Sequence, residues 1–176
     1  MQKVKLPVEV EPFRAAKRRL DYQGIVPAGQ MPRLAQATLA VSKDAEASIH
    51  FDIDPQGLTV MTGEATTEVV LECQRCGEPF NLALHVEFQY APVNDHQLMD
   101  ELPQAYEPLE LNENGEFYLR QVLEDEFLLA LPLIAMHSLA DCKVQEQVRT
   151  FGEIPTQEGN MQPNPFAILQ SLKKEN

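Results

Sequence analysis

Phe80-Asn81-Leu82-Ala83-Leu84-His85-Val86-Glu87-Phe88-Gln89-Tyr90 places a bulky apolar side chain at every second position. Because successive side chains of a strand point to opposite faces, this pattern predicts a strand with one face in a core and one in water. Two upstream stretches follow the same rule. Ala47, Ile49, Phe51 and Ile53 alternate with Ser48, His50, Asp52 and Asp54, and Thr67, Val69, Leu71 and Cys73 alternate with Thr66, Glu68, Val70 and Glu72. Asp54-Pro55-Gln56-Gly57 reads as a turn, with Pro preset for the first corner and Gly free to take positive φ. Gly63 is expected to break or bulge the strand that runs from Leu58 toward Glu72. Consecutive strands joined by short turns make an antiparallel meander of about four to six strands.

Phe117 to Leu131 changes to helical period: Phe117, Val122, Leu123, Phe127, Ala130 and Leu131 form a stripe that ends at Pro132. The expected fold is therefore α+β, with this main helix covering the sheet and short helices near both termini. The N-terminal one is read at Phe13 to Leu20, where Arg14, Lys17 and Arg18 share a face. The C-terminal one begins at Asn164-Pro165, an N-cap followed by proline in the first turn, and carries lysines at its end. Between the sheet and the main helix, residues 91–116 are acidic and rich in proline, with an edge strand expected near Leu109 to Leu111. The expected division is one domain over 1–155, then a polar linker and terminal helix over 156–176.

The chain of 176 residues carries a net charge of −13, which on average repels a polyanion and excludes a general nucleic-acid platform. The charge is uneven. Residues 1–33 hold seven bases (Lys3, Lys5, Arg14, Lys17, Arg18, Arg19, Arg33) against three acids, a net +4. Residues 94–126 hold ten acids against Arg120 alone, a net −9, and such a belt suits a basic protein partner. No run reaches the roughly 18 apolar residues of a membrane span, and the N-terminus has no apolar signal core, so a cytoplasmic protein is expected.

Glu72-Cys73-Gln74-Arg75-Cys76-Gly77 has the form of a zinc knuckle: two intervening residues let both sulfurs face one ion, and Gly permits the tight return. A tetrahedral shell needs two more donors, and His137 with Cys142 is the best pair that the sequence offers. Two readings stay open, a closed structural Zn²⁺ site of Cys73, Cys76, His137 and Cys142, or three reduced thiols of which Cys142 is a small buried residue. A redox dithiol fits less well, since the pair precedes a strand and not a helix N-terminus. His50 and His96 read as solvent-facing, and His85 falls on the polar face of its strand. The chain shows no nucleophile beside a base and no phosphate-cradling glycine loop, so no catalytic residue is assigned. Glu124-Asp125-Glu126 reads as a solvated helix face.

Several segments taken in order resemble the YceD family, the large ribosomal RNA subunit accumulation proteins. They are Gln2-Lys3-Val4-Lys5-Leu6-Pro7, Arg19-Leu20-Asp21-Tyr22-Gln23-Gly24, Leu71 to Gly77, Tyr106-Glu107-Pro108, Glu124-Asp125-Glu126 through Leu129-Ala130-Leu131-Pro132, and Pro163-Asn164-Pro165-Phe166-Ala167 with Leu169 to Lys173. The resemblance implies a non-enzymatic role in the synthesis, processing or accumulation of 23S ribosomal RNA, and so in large-subunit biogenesis. It also implies further cysteines after the Leu-Pro segment in relatives, where this chain has His137 and Cys142.

Two contact surfaces follow as expectations. Lys3, Lys5, Arg14, Lys17, Arg18 and Arg19 would meet 23S precursor RNA locally, while the acidic belt would meet a basic large-subunit ribosomal protein. The terminal segment with Asn164, Pro165, Phe166, Leu169 and Leu172 reads as a docking helix for a partner groove, or as packing on its own domain. Two alternatives remain at this level, a zinc-dependent RNA-processing enzyme and an adaptor unrelated to RNA.

Overall fold

Strict alternation produces a sheet with one dry and one wet face, and the fold is organised around it. The computed structural model describes residues 5–93 and 102–144. The chain separates into the units Met1–Cys142 and Lys143–Asn176, and every element below belongs to the first. The expected linker and docking helix, and the boundary at residue 155, lie outside the described residues.

In chain order the elements are β1 (Glu9–Val10), α1 (Pro12–Lys17), β2 (Asp21–Val26), a 3₁₀ turn (Ala28–Gln30), α2 (Pro32–Ala37), β3 (Ala40–Val41) and β4 (Ala45–Ile53). They continue with β5 (Thr59–Glu72), β6 (Pro79–Val93), β7 (Glu107–Glu110), β8 (Phe117–Tyr118) and α3 (Leu119–Leu129). The main sheet has the order β2-β4-β5-β6-β7, with β3 paired to the far part of β5. All its pairings are antiparallel except β6 with β7, which run parallel from Tyr90 opposite Glu107. The α+β meander read from the sequence is thus present, and the edge strand expected near Leu109 to Leu111 forms as β7 over Glu107–Glu110, running parallel to β6.

The turn after β4 forms as its residues dictate. Asp54 Oδ1 accepts the N–H groups of Gln56 and Leu58 at 2.8 Å each, and Gly57 takes φ +89°. Gly63, by contrast, neither breaks nor bulges β5. The ladder passes through it without a step, Gly63 standing opposite Ile49 on one side and Phe88 on the other. The reason for glycine here is space: a Cβ would lie 2.6 Å from the Phe88 ring and 2.8 Å from the Ser48 carbonyl oxygen.

The dry face carries Ile49, Phe51, Met61, Val69, Val86 and Phe88, all buried. Ala15 and Ala16 of α1, Leu34 of α2, and Leu119, Leu123 and Phe127 of α3 complete the same core. Burying one Leu or Phe is worth about 1.5–3 kcal/mol, so packing and not helix propensity holds these short helices in place. The main helix starts two residues later than its periodicity suggests. Phe117 and Tyr118 pair instead with Val10 and Glu9 of β1, and Leu119 N–H donates to Val8 O at 3.0 Å. The wet face presents Asp21, Glu46, Ser48, His50, Glu64, His85 and Glu87 to solvent.

Candidate metal centre

The hairpin between β5 and β6 is closed by the cysteine knuckle itself. Cys73 N–H donates to Glu78 O at 2.9 Å, Gly77 N–H donates to Cys73 O at 2.8 Å, and Gly77 takes φ +74°, the left-handed region that glycine enters at no steric cost. A second strip of chain lies over the hairpin. After α3 ends near Ala130 and Pro132, Ala135 O accepts the Gln74 N–H at 2.9 Å, and a tight turn at Ser138 to Asp141 brings Cys142 back. Phe80 packs edge-on against the His137 ring, centroids 5.5 Å apart, and fixes the imidazole.

The result is that Cys73 Sγ, Cys76 Sγ, Cys142 Sγ and a His137 ring nitrogen all lie within 4.8 Å of one another. Cys76 Sγ and His137 Nε2 are 3.7 Å apart. Donors about 2.0–2.3 Å from one tetrahedral ion would be separated by about that distance, so the donor set and spacing fit Zn²⁺. Cys73 and Cys142 are buried, Cys76 and His137 half-buried, and all three thiols are free. Burial alone would push the Cys73 thiol up, but backbone N–H groups of Arg75, Cys76 and His137 directed at its sulfur bring it down to about 6. Cys76 shifts the other way: Glu78 N–H lowers it, and burial with the Cys73 and Cys142 sulfurs outweighs that and raises it. His137 Nδ1 is buried without a hydrogen-bond partner among the described residues.

The other expected site residues divide. Lys5, Arg14, Lys17, Arg18 and Arg19 are all exposed along the N-terminal segment and α1. Arg19 sits just past the end of α1 at φ +49° and reaches Asp52 at 3.1 Å. Arg33, counted in the basic head, is used inside the fold. Lys3 and the terminal Asn164, Pro165, Phe166, Leu169 and Leu172 lie outside the described residues, as does His96. His50 contacts Asp21 and Asp52 on the wet face, and His85 stands 3.5 Å from Glu87.

Glu124-Asp125-Glu126 is not a solvated face. Glu124, 5% exposed, accepts the N–H groups of Arg33 and Leu34 at 2.6 and 3.0 Å, and its second oxygen accepts Arg33 Nε at 3.0 Å. Asp125 takes the other arm of the same guanidinium, whose protonated form is favoured by Asp125 first, with burial opposing and Glu124 assisting. Tyr90 OH donates to Glu126, and burial together with that carboxylate raises the tyrosine pKa, so the phenol keeps its proton. The acidic triplet closes α3 onto α2 and β6. Sequence reasoning missed this because the Arg33 partner of Glu124 lies 91 residues away.

The family model described as "Large ribosomal RNA subunit accumulation protein YceD" matches residues 61–173. The chain belongs to the YceD family. The matched span includes the whole cysteine knuckle, His137 and Cys142. A protein of Haemophilus influenzae with that same description is 49% identical over 175 residues, covering 99% of this chain and 100% of the relative. No solved structure matches the chain. None of the helices among the described residues is long and apolar enough to cross a membrane.

Proposed function

We propose that this chain is a non-enzymatic, cytoplasmic factor in the synthesis, processing or accumulation of 23S ribosomal RNA, acting in large-subunit biogenesis. The family and the name of its Haemophilus influenzae relative give the general role. The observation that carries the mode of action is the sorting of charge. Arg14, Lys17, Arg18 and Arg19 are exposed together at α1, while the wet face of the sheet exposes Asp21, Glu46, Glu64 and Glu87. A protein of net charge −13 can touch phosphate only through such a local basic head, and its acidic face favours a basic protein.

In this reading Cys73, Cys76, His137 and Cys142 hold a structural Zn²⁺. Four protein donors leave no open position for a water nucleophile, so the ion would supply cross-linking of the hairpin to the strip after α3, not hydrolysis. This favours a binding factor over a zinc-dependent nuclease.

The test is a deletion strain complemented with the wild-type chain or with Arg14, Lys17 and Arg18 all changed to Gln. Sucrose-gradient sedimentation and primer extension at the 23S ends are read for each. A large-subunit deficit with 23S precursor, rescued by wild type and not by the neutralised head, is expected. Mature ends and normal subunits in the deletion strain would overturn the proposal, and full rescue by the neutralised head would remove the basic segment from it.

A further inference from the structure

Strand β6 is much longer than its outer neighbour. β5 pairs with it from Pro79 to Tyr90, but on the opposite side β7 covers only Tyr90 to Val93. Among the described residues no strand lies beside Pro79–Gln89 on that side. An antiparallel strand directs alternate N–H and C=O groups to each side, so this stretch presents a row of outward backbone donors and acceptors, the template for strand addition.

The surroundings of this edge are shaped to receive a chain. A groove of about 330 Å³ is lined by Leu82 and Leu84 from the dry face of β6 and by Ala83 and His85 from its wet face. A groove that touches both faces of one strand runs along the strand's edge. Its opposite wall is the strip after α3, with Pro132, Ile134 and Met136. That strip carries exposed apolar side chains, Leu133 at 99%, Ile134 at 60% and Met136 at 46%. Core cover is also incomplete at this end: Phe80 and Leu82 are half-buried, whereas Leu84, Val86 and Phe88 farther along the same face are buried. Three separate features, an open hydrogen-bonding edge, a groove along it and an exposed apolar wall, therefore coincide.

Charge selects among extended chains. Glu64 and Glu87 stand directly opposite each other across β5 and β6, a like-charge pair that destabilises a ladder, with His85 beside them. A lysine or arginine on a strand added next to Glu87 would offset that repulsion, whereas phosphate would add to it. We infer that the free edge of β6 at Pro79–Gln89 is a strand-addition site for an extended, lysine- and arginine-bearing protein segment with apolar residues at alternate positions. The segment's backbone pairs with β6, one side of it seats apolar groups against Ile134 and Met136, and the other sets its cations beside Glu87, with Glu64 one strand farther across the wet face. This deepens the reading that the chain works through a basic protein partner and rests on it for biological context.

The experiment uses the full chain and a short, acetylated peptide of alternating lysine and valine, read by fluorescence anisotropy and by amide hydrogen exchange. Saturable binding with slowed exchange within Pro79–Gln89 is expected, and methylating the peptide nitrogens along one edge should abolish it. Glu87→Lys should weaken binding roughly fivefold, the scale of one cross-strand charge pair, and Ile134→Asp should weaken it with little effect on folding because the side chain is exposed. Equal binding by the methylated peptide would reduce the site to charge attraction and overturn strand addition. So would slow exchange across the whole of Pro79–Gln89 in the chain alone, or protection of the same amides by a single-stranded RNA. None of these readouts involves 23S maturation, so failure of strand addition and failure of the ribosomal RNA role register in separate assays.

Discussion

Two polar clusters hold the helical side of this molecule to its sheet, and they are built on opposite principles. Around Glu124 every strong donor meets an acceptor: Arg33 and Leu34 give N–H groups, Arg33 spans Glu124 and Asp125, and Tyr90 serves Glu126. Around Cys73 the chain gathers three sulfurs and an imidazole, which are all electron-pair donors to a metal and poor partners for one another. The first cluster is completed by its own residues. The second has the donor set that the proposed Zn²⁺ would complete, and in that reading the contrast is one between a metal centre and a buried polar network.

The comparison breaks most sharply at the cysteines. Structural zinc supplies folding energy directly, so if these four residues hold it as proposed, chelation, or Cys73→Ser, should lower Tm by about 10 °C or more and release about one equivalent of zinc. Thermal melts with metal analysis check this. An unchanged Tm after chelation of a metal-bearing sample would make the thiols merely buried. Glu124→Ala should act on the other cluster and leave zinc content alone. It orphans the α2 N–H groups and takes from Arg33 one of its two carboxylate partners, Asp125 remaining, and a loss of about 2–4 kcal/mol is expected by urea unfolding, reduced from the fully buried case because Arg33 is 43% exposed. A loss under about 0.5 kcal/mol would mean that water replaces the carboxylate.

These clusters also differ in how far they could be read beforehand. The knuckle was legible because Cys73, Cys76 and Gly77 are neighbours in sequence, and His137 with Cys142 followed from counting the donors that remained. Their convergence could not be read, since it depends on the strip after α3 crossing back over the hairpin. The Glu124 lock was illegible for the same reason in stronger form, as an acidic triplet on a helix looks the same whether it faces water or a helix N-terminus. Period two revealed β4, β5 and β6, whose alternation is strict. It passed over β2, where Asp21, Gln23 and Gly24 blur the contrast between faces, and α2, which has six residues.

Gly63 sharpens the point that a residue type can be right for a reason other than the one read. Glycine suggested a bulge, but its role is to let Phe88 and the β4 backbone approach. Gly63→Ala should therefore destabilise the sheet by about 1–3 kcal/mol through overpacking, without altering its register. Shortening the opposing ring in the double variant Gly63→Ala with Phe88→Leu should recover part of that loss in the same unfolding assay. A neutral Gly63→Ala would show that Phe88 shifts freely, and a changed β4–β5 register by NMR would restore the bulge reading.

The smallest stability effect is expected where fold and proposed function pull apart. Arg19 occupies the left-handed region immediately after α1, where glycine would be relaxed, and its side chain is 75% exposed. Relief of that backbone cost, of order 1 kcal/mol, opposes loss of a surface ion pair with Asp52 worth about 0–1 kcal/mol, so Arg19→Gly should leave stability unchanged or slightly higher. If the α1 bases contact phosphate, the same substitution should weaken binding to 23S precursor RNA and reduce the slope of log affinity against log salt by about one phosphate contact. A fold that loses nothing while RNA affinity falls would mean that the strained arginine is held for its partner. Equal RNA affinity at every salt concentration would confine Arg19 to its pairing with Asp52, and the basic head would then lose Arg19 as a contact.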